Sequence, residues 1–286
     1  MSGRRWSLRR KLAVAALLFA LFGMGFAIKA WHDTLRDPEV RRLTVASSAL
    51  PAGSLPVRIA FISDIHVAGP DMPPERLERI VAQINALEPD IVAIAGDLVS
   101  DKRTATHIYT PEEIVAPLGK LAPRLGVVVV PGNHDHWYDW PGLLEQLARY
   151  EQITVLQNDA AQIGPVAMAG VDDAYTGRDD LATTFAAMEP LSGIRVALSH
   201  SPDIFPQVPT DFDLVLAGHT HCGQIAYPWG GAPATLSEYG DRYACDELRE
   251  NGKTLVTSAG LGTSLLPMRL FTQPEIWVVE VWGADV

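Results

Sequence analysis

The sequence predicts an α/β fold. From Val57 onward, apolar runs of strand length alternate with longer stretches of helical character, the pattern of sheet strands joined by helices. Five of the apolar runs end in clusters of His, Asp or Asn. No internal repeat or low-complexity tract interrupts the alternation.

Taken in order, the chain opens with Arg4, Arg5, Arg9, Arg10 and Lys11, followed by an uncharged apolar run from Leu12 to Ile28 that Lys29 closes. Two readings stand for residues 1–30. One is an uncleaved membrane anchor with its basic end inside; the other is a secretory signal peptide cut after Ala27, with Gly25 and Ala27 as the small residues of the cleavage site. The run is longer than a typical signal h-region, which favours the anchor. Both readings put the rest of the chain outside the cytosol, in the periplasm for a Gram-negative cell. Residues 31–56, broken by Pro38, Pro51, Gly53 and Pro56, read as a linker to a domain over 57–286.

Within that domain, strands are expected at Val57–Ile62, Ile91–Ala95, Val127–Val130, Thr154–Leu156, Val166–Ala169, Val196–Leu198, Leu214–Leu216, Leu255–Thr257 and Ile276–Val281. Helices are expected at Pro74–Leu87, Pro111–Leu121, Trp140–Tyr150 and Leu181–Met188. Pro74 and Pro111 suit a first helical turn, where the missing N–H costs nothing. Leu77, Ile80, Val81, Ile84 and Leu87 recur at helical spacing, giving that helix one face to pack on a sheet.

Composition narrows the class of function. Of 286 residues 48% are apolar and 20% charged, which suits a globular protein. The formal net charge of −11 repels phosphate backbones, so nucleic acid is not an expected partner. Part of that acidity belongs to any site that gathers carboxylates for cations. The two cysteines, Cys222 and Cys245, form neither a disulfide framework nor a Cys-rich zinc site. One bridge between them is open in an oxidising compartment, but two unpaired thiols are the favoured expectation.

The chemistry lies in the strand-end clusters: Ser63-Asp64-Ile65-His66, Gly96-Asp97, Gly132-Asn133-His134-Asp135, Ser199-His200-Ser201-Pro202 and Gly218-His219-Thr220-His221. Loops at the carboxyl ends of strands in an open α/β sheet converge on one crevice. Taken singly, Asp-x-His, Gly-Asp and Gly-Asn are also turn chemistry; the His219/His221 pair is the most specific signal, because His-x-His pairs are frequent metal ligands. Five of the eight histidines fall in these clusters, and scattered structural histidines would not sort that way. Asp64, His66, Asp97, Asn133, His200, His219 and His221 supply carboxylate, amide and imidazole donors without thiolate, a set that fits Mn²⁺, Fe or Zn²⁺. Seven ligands exceed one tetrahedral ion but suit two ions sharing a carboxylate, with Asp97 as the bridge and Mn²⁺ placed first. Two such dications, about 3.5–4 Å apart, clamp a phosphate for in-line displacement. His134 is left over as an acid or hydrogen-bond donor to the leaving oxygen.

In order and spacing, these motifs resemble the calcineurin-like metallophosphoesterase superfamily over residue 57 to the C-terminus. The resemblance implies two mixed β-sheets sandwiched between helices, an αββα arrangement. It also implies Asp64, His66, Asp97 and His221 on one metal and Asp97, Asn133, His200 and His219 on the other, with His134 catalytic. The strings Gly218-His219-Thr220-His221-Cys222-Gly223-Gln224, Ser199-His200-Ser201-Pro202 and Gly260-Leu261-Gly262-Thr263-Ser264, leading to Arg269 and Pro274-Glu275, resemble the bacterial membrane-associated phosphodiesterase branch, which includes UDP-2,3-diacylglucosamine hydrolases. That likeness implies a phosphodiester or pyrophosphate substrate, lipid-linked in that branch, and Arg269 as a phosphate or head-group contact. Two departures stand out. The superfamily's second Asp, three residues after the bridge, is here Asp101, one position late; and Cys222 stands where the branch usually has Gly. The alternatives are an envelope phosphodiesterase or phosphatase with another substrate, and a non-catalytic metal-binding scaffold.

Overall fold

The computed structural model describes residues 6–284; Arg4 and Arg5 lie outside them. The first element is the 28-residue helix α1 (Leu8–Leu35), whose apolar stretch is long and apolar enough to cross a membrane and is not buried against the rest of the chain. Only Ala30, Asp33 and Thr34, near its C-terminal end, are buried.

Among the described residues twelve strands follow. β1 (Glu39–Ser47), β2 (Val57–Ser63), β3 (Ile91–Ala95), β4 (Gly126–Val130) and β5 (Ile153–Val155) belong to a first sheet. β6 (Asp159–Ile163), β7 (Val166–Gly170), β8 (Ile194–Ser199), β9 (Leu214–Ala217), β10 (Asp246–Glu250) and β11 (Lys253–Thr257) form the second. β12 (Glu275–Gly283) returns to the first, giving the orders β1-β12-β2-β3-β4-β5 and β10-β11-β9-β8-β7-β6. Both sheets are mixed: β12 runs antiparallel to β2 and parallel to β1, and β6 and β10 are antiparallel to their neighbours.

The layers follow from where apolar side chains go. Ile59, Phe61, Val128, Met168, Val196, Leu216 and Trp277 interlock between the two sheets. The outer face of the first sheet is covered by α2 (Pro74–Asn85), α3 (Pro111–Val115) and α5 (Trp140–Leu147), through Leu77, Ile84, Ile114 and Leu143. The short helix α4 (Asn133–Tyr138) precedes α5, and α6 (Leu181–Ala187) lies by the second sheet, whose outer face is packed by Met188, Phe205 and Phe212. This is the αββα arrangement that the family resemblance implies.

Three strands fall outside the sequence-based set: β1, β6 and β10. All three are sheet edges, and their burial alternates or is largely exposed, so none carries the continuous apolar run of an interior strand. The consequence is largest for β1. The segment read as a linker holds a nine-residue strand paired in register with β12, from Glu39↔Glu275 to Ser47↔Gly283, so the folded unit begins before residue 57. The helix expected over Pro111–Leu121 stops at Val115 and resumes as a 3₁₀ turn at Leu118–Lys120, because Pro117 cannot donate to a helical ladder.

Candidate metal centre and active site

β2, β3 and β4 of the first sheet run parallel, as do β8 and β9 of the second, and the loops at their carboxyl ends meet. Asp64 and His66 leave β2, Asp97 leaves β3, Asn133 and His134 begin α4 after β4, His200 leaves β8, and His219 and His221 leave β9. All eight are buried, His134 the least so at 7% exposure.

The backbone is bent sharply to do this. Five of the seven ligand-type residues, Asp64, His66, Asp97, His219 and His221, have φ between 48° and 69°, the left-handed region that side chains with a Cβ rarely enter. Such strain persists where surrounding contacts over-determine it, and it clusters at functional sites. Close approach between loops supplies the constraint. A Cβ on Gly132 would lie 2.3 Å from Asp97 Oδ1, and one on Gly218 would lie 2.4 Å from Asp64 Oδ2.

The donor atoms converge around Asp97. Its Oδ2 lies 3.2 Å from His200 Nε2 and 3.5 Å from His66 Nε2, while its Oδ1 accepts the His134 backbone N–H at 2.8 Å. On one side His66 Nε2 faces His221 Nε2 at 3.0 Å, and His221 Nε2 is 3.4 Å from Asp64 Oδ1. On the other, His200 Nε2 is 3.1 Å from Asn133 Oδ1 and 3.2 Å from His219 Nδ1.

These contacts suit cations better than hydrogen bonds. His66 Nδ1 donates to the Val99 carbonyl at 3.2 Å and His200 Nδ1 to the Ala95 carbonyl at 2.8 Å. With Nδ1 so committed, each ring in its neutral form turns a lone pair, on Nε2, toward the carboxylate and the other imidazoles. Ligands about 2.0–2.2 Å from one ion sit roughly 3.0–3.5 Å from one another in tetrahedral or octahedral geometry, the spacing found here. The donor set and its packing fit divalent metal.

Electrostatics agree. Burial holds His66 and His221 well below the usual imidazole range and His219 at about 3, leaving these rings neutral and able to ligate. Burial raises Asp64 to about 6, against the pull of His200. Burial would also raise Asp97, but the charges of His200 and His134 outweigh it and hold that carboxyl well below its usual range. His200 is correspondingly raised despite burial, chiefly by Asp97.

His134 stands at the opening. Its Nδ1 hydrogen-bonds the Asp101 carboxylate, and the Ser264 hydroxyl lies 3.3 Å from Nε2. Asp101 thus reaches the histidine although it stands one position late. Trp137 packs edge-on against His134 with ring centroids 4.9 Å apart, and Tyr175 lies tilted against His219 at 4.3 Å. The contacts of Ser264 and Tyr175 lack a sequence signal, since each depends on a loop approaching from elsewhere in the fold, whereas Trp137 stands three residues after His134 on α4. Asp135 ties the β3 and β4 loops together by accepting from Leu98, Val99 and Gly132 backbone N–H groups.

Arg269 differs from the expectation of a phosphate contact. Its side chain is wholly buried, and Nη2 donates to the Ala259 and Gly262 carbonyls, each 2.6 Å away. Those bonds use both Nη2 protons, so the 3.4 Å approach to His221 Nδ1 is electrostatic. The guanidinium props the His221 side of the cluster from behind. The two cysteines also depart from expectation: Cys222 and Cys245 form a disulfide with Cα atoms 4.8 Å apart. The chain folds back after the left-handed Cys222, bringing together residues far apart in sequence.

Residues 57–223 match the calcineurin-like phosphoesterase family. The chain is 30% identical, over 93% of its length and 62% of the other's, to a bovine (Bos taurus) transmembrane protein with a metallophosphoesterase domain. It is 29% identical to the uncharacterised metallophosphoesterase YkoQ of Bacillus subtilis, covering 93% of this chain and 96% of that one. An uncharacterised metallophosphoesterase of Aquifex aeolicus is 30% identical over 85% and 92% of the two chains. The chain spans 62% of the length of the bovine and zebrafish (Danio rerio) relatives. This protein belongs to the calcineurin-like phosphoesterase family. The matched span contains the seven ligand-type residues and His134 and ends before Arg269. The names of these relatives carry the family and, in the vertebrates, the membrane segment, but not the lipid-precursor branch.

Proposed function

We propose that this protein is a membrane-anchored phosphodiester or pyrophosphate hydrolase that holds two divalent cations, Mn²⁺ by preference. Asp64, His66, Asp97 and His221 would hold one, and Asp97, Asn133, His200 and His219 the other. The observation that carries this reading is the convergence of inward-facing imidazole nitrogens on Asp97 Oδ2, with their other ring nitrogens committed to backbone carbonyls. When bound, such ions activate water at neutral pH and offset the charge of the phosphate oxygens.

The chain's own residues supply the rest. Asp97 is the shared carboxylate and, through Oδ1, fixes the start of α4. That places His134 at the mouth, where its Nε2 can pass a proton to the leaving oxygen. Asp101 orients the ring through Nδ1.

Helix α1 would anchor the chain with the folded unit outside. Arg9, Arg10 and Lys11 flank its N-terminal end, and a disulfide at Cys222–Cys245 suits an oxidising compartment. A specific observation also favours a substrate with an apolar portion: a cleft of about 250 Å³ runs from His221 and Ser264 to Leu236, Leu265 and Leu266. A lipid-linked phosphoester such as UDP-2,3-diacylglucosamine would place its tail there, though that substrate is handled in the cytosol and an external domain favours an envelope phosphodiester.

The test uses the full chain in detergent. Metal content is measured after reconstitution with Mn²⁺, and hydrolysis of an aryl phosphodiester is followed. About two ions per chain and activity lost on both chelation and Asp97→Ala are expected. Activity surviving both treatments would refute the metal mechanism.

A further inference from the structure

We propose that the loops carrying Tyr227, Trp229, Leu265, Leu266 and Phe271 form a membrane-docking surface, which sets the mouth of the metal centre against a phospholipid bilayer. This rests on the reading that α1 crosses the membrane and adds a second contact with it.

The argument begins where α1 meets the folded unit. The Arg269 backbone N–H donates to Thr34 Oγ1 at 2.7 Å and to the Ala30 carbonyl at 3.3 Å. Arg76 Nη2 donates to the Thr34 and Arg36 carbonyls at 2.8 and 3.0 Å. The helix is thus clamped to the fold by its last turns, without a flexible spacer, and its direction sets which face of the fold meets the membrane.

That face is apolar. Phe271 packs edge-on against Phe26 of α1, with ring centroids 6.4 Å apart, and Lys29 Nζ lies 5.2 Å from the Phe271 centroid. Phe26 belongs to the apolar run ending at Ile28, so a bilayer that covers Phe26 also covers Phe271. The contact continues outward. The Ala226 N–H donates to the Leu270 carbonyl at 2.9 Å, and the Gln224 side chain donates to the Leu266 and Met268 carbonyls at 3.0 Å. These bonds join the two loops into one surface. On it Tyr227 and Trp229 stack with centroids 5.3 Å apart, and Trp229 is 80% and Leu265 69% exposed.

Large apolar side chains at such exposure, grouped on two hydrogen-bonded loops, mark an interaction site. Tyr and Trp are the side chains favoured at membrane–water interfaces, where one end is wet and the other apolar. Continuity with α1 through Phe271 selects the bilayer as occupant over a second copy of this chain. The surface also reaches the chemistry, because Ser264, beside Leu265, lies 3.3 Å from His134 Nε2.

The test reconstitutes the full chain in nanodiscs whose phosphatidylcholine acyl chains carry bromine, a short-range quencher of tryptophan. Emission is compared between the parent, Trp229→Phe and Trp31→Phe, both conservative changes at exposed positions. Docking predicts that the emission assigned to Trp229 falls by more than half in brominated discs and resists iodide added to the water. Trp229 emission insensitive to bromine would overturn docking, whether iodide reaches it or a second copy shields it. If the Trp31 emission also escapes bromine, the membrane reading of α1 falls with it; if Trp31 is quenched and Trp229 is not, only the docking surface falls.

Discussion

Asp97 works through both of its oxygens, Oδ2 toward His66 and His200 and Oδ1 toward the backbone of His134. Asp97→Ala should therefore empty the centre as well as stop turnover, read as lost metal content beside lost kcat. His134 touches the site from its rim, so His134→Ala should leave metal content unchanged while kcat falls by about 10²–10⁴-fold, the range for a lost general acid. A variant that loses its metal along with its activity would place His134 among the ligands instead. Asp101→Asn keeps the shape but removes the carboxylate that accepts from His134 Nδ1, so a smaller loss of about 10–100-fold is expected. Arg269 makes the opposite prediction to a phosphate contact. Arg269→Met leaves the Ala259 and Gly262 carbonyls without their donor, at roughly 1–3 kcal/mol each. The melting temperature should fall while KM for an aryl phosphodiester holds; a large rise in KM without destabilisation would restore the substrate role.

At the scale of elements, the loops after β2, β3, β4, β8 and β9 matter more than the strands that present them. The interior strands were legible because each is a continuous apolar run closed by a polar cluster, and shared placement at strand ends marked the eight candidate residues. Edge strands β1, β6 and β10 were not, because half-exposed sequences resemble loops. Nor could the contact of Ser264 with His134, the disulfide or the burial of Arg269 be read, since each is a long-range packing outcome with no local periodicity. The glycines show how tightly those loops are held. At Gly132 a methyl group would meet Asp97 itself, with Oδ1 at 2.3 Å and the amide nitrogen at 2.6 Å, and neither can retreat without moving the centre. Gly132→Ala is expected to cost about 1–3 kcal/mol of stability by overpacking and to lower metal content. The Cys222–Cys245 bridge acts on the next loop along. It closes a segment with a sequence separation of 23 residues, for which chain entropy gives about 3 kcal/mol. Reduction or Cys245→Ser should lower the melting temperature and loosen the loop bearing Trp229, seen as faster amide exchange over 223–244.

For the whole molecule, the metal centre lies between the two sheets' loop clusters, and that position predicts how stability responds to cations. Asp64, His66, Asp97 and Asn133 come from the first sheet, and His200, His219 and His221 from the second. Without cations, the Nε2 atoms of His66 and His221 face one another across that seam at 3.0 Å, and burial leaves both rings neutral. A cation bound by the folded chain but not by the unfolded one adds about 2.7 kcal/mol at a hundredfold excess over Kd. For a chain of this size, that corresponds to roughly 5–10 °C in melting temperature. Chelation of the full chain in detergent should lower its melting temperature by this order, and Mn²⁺ should restore it. In Asp97→Ala the midpoint should no longer respond to either addition, since the carboxylate shared by both halves is gone. A midpoint that ignores chelator in the parent protein would mean that the sheets' cores alone hold the seam closed, and the centre would then be a site the fold carries without depending on it.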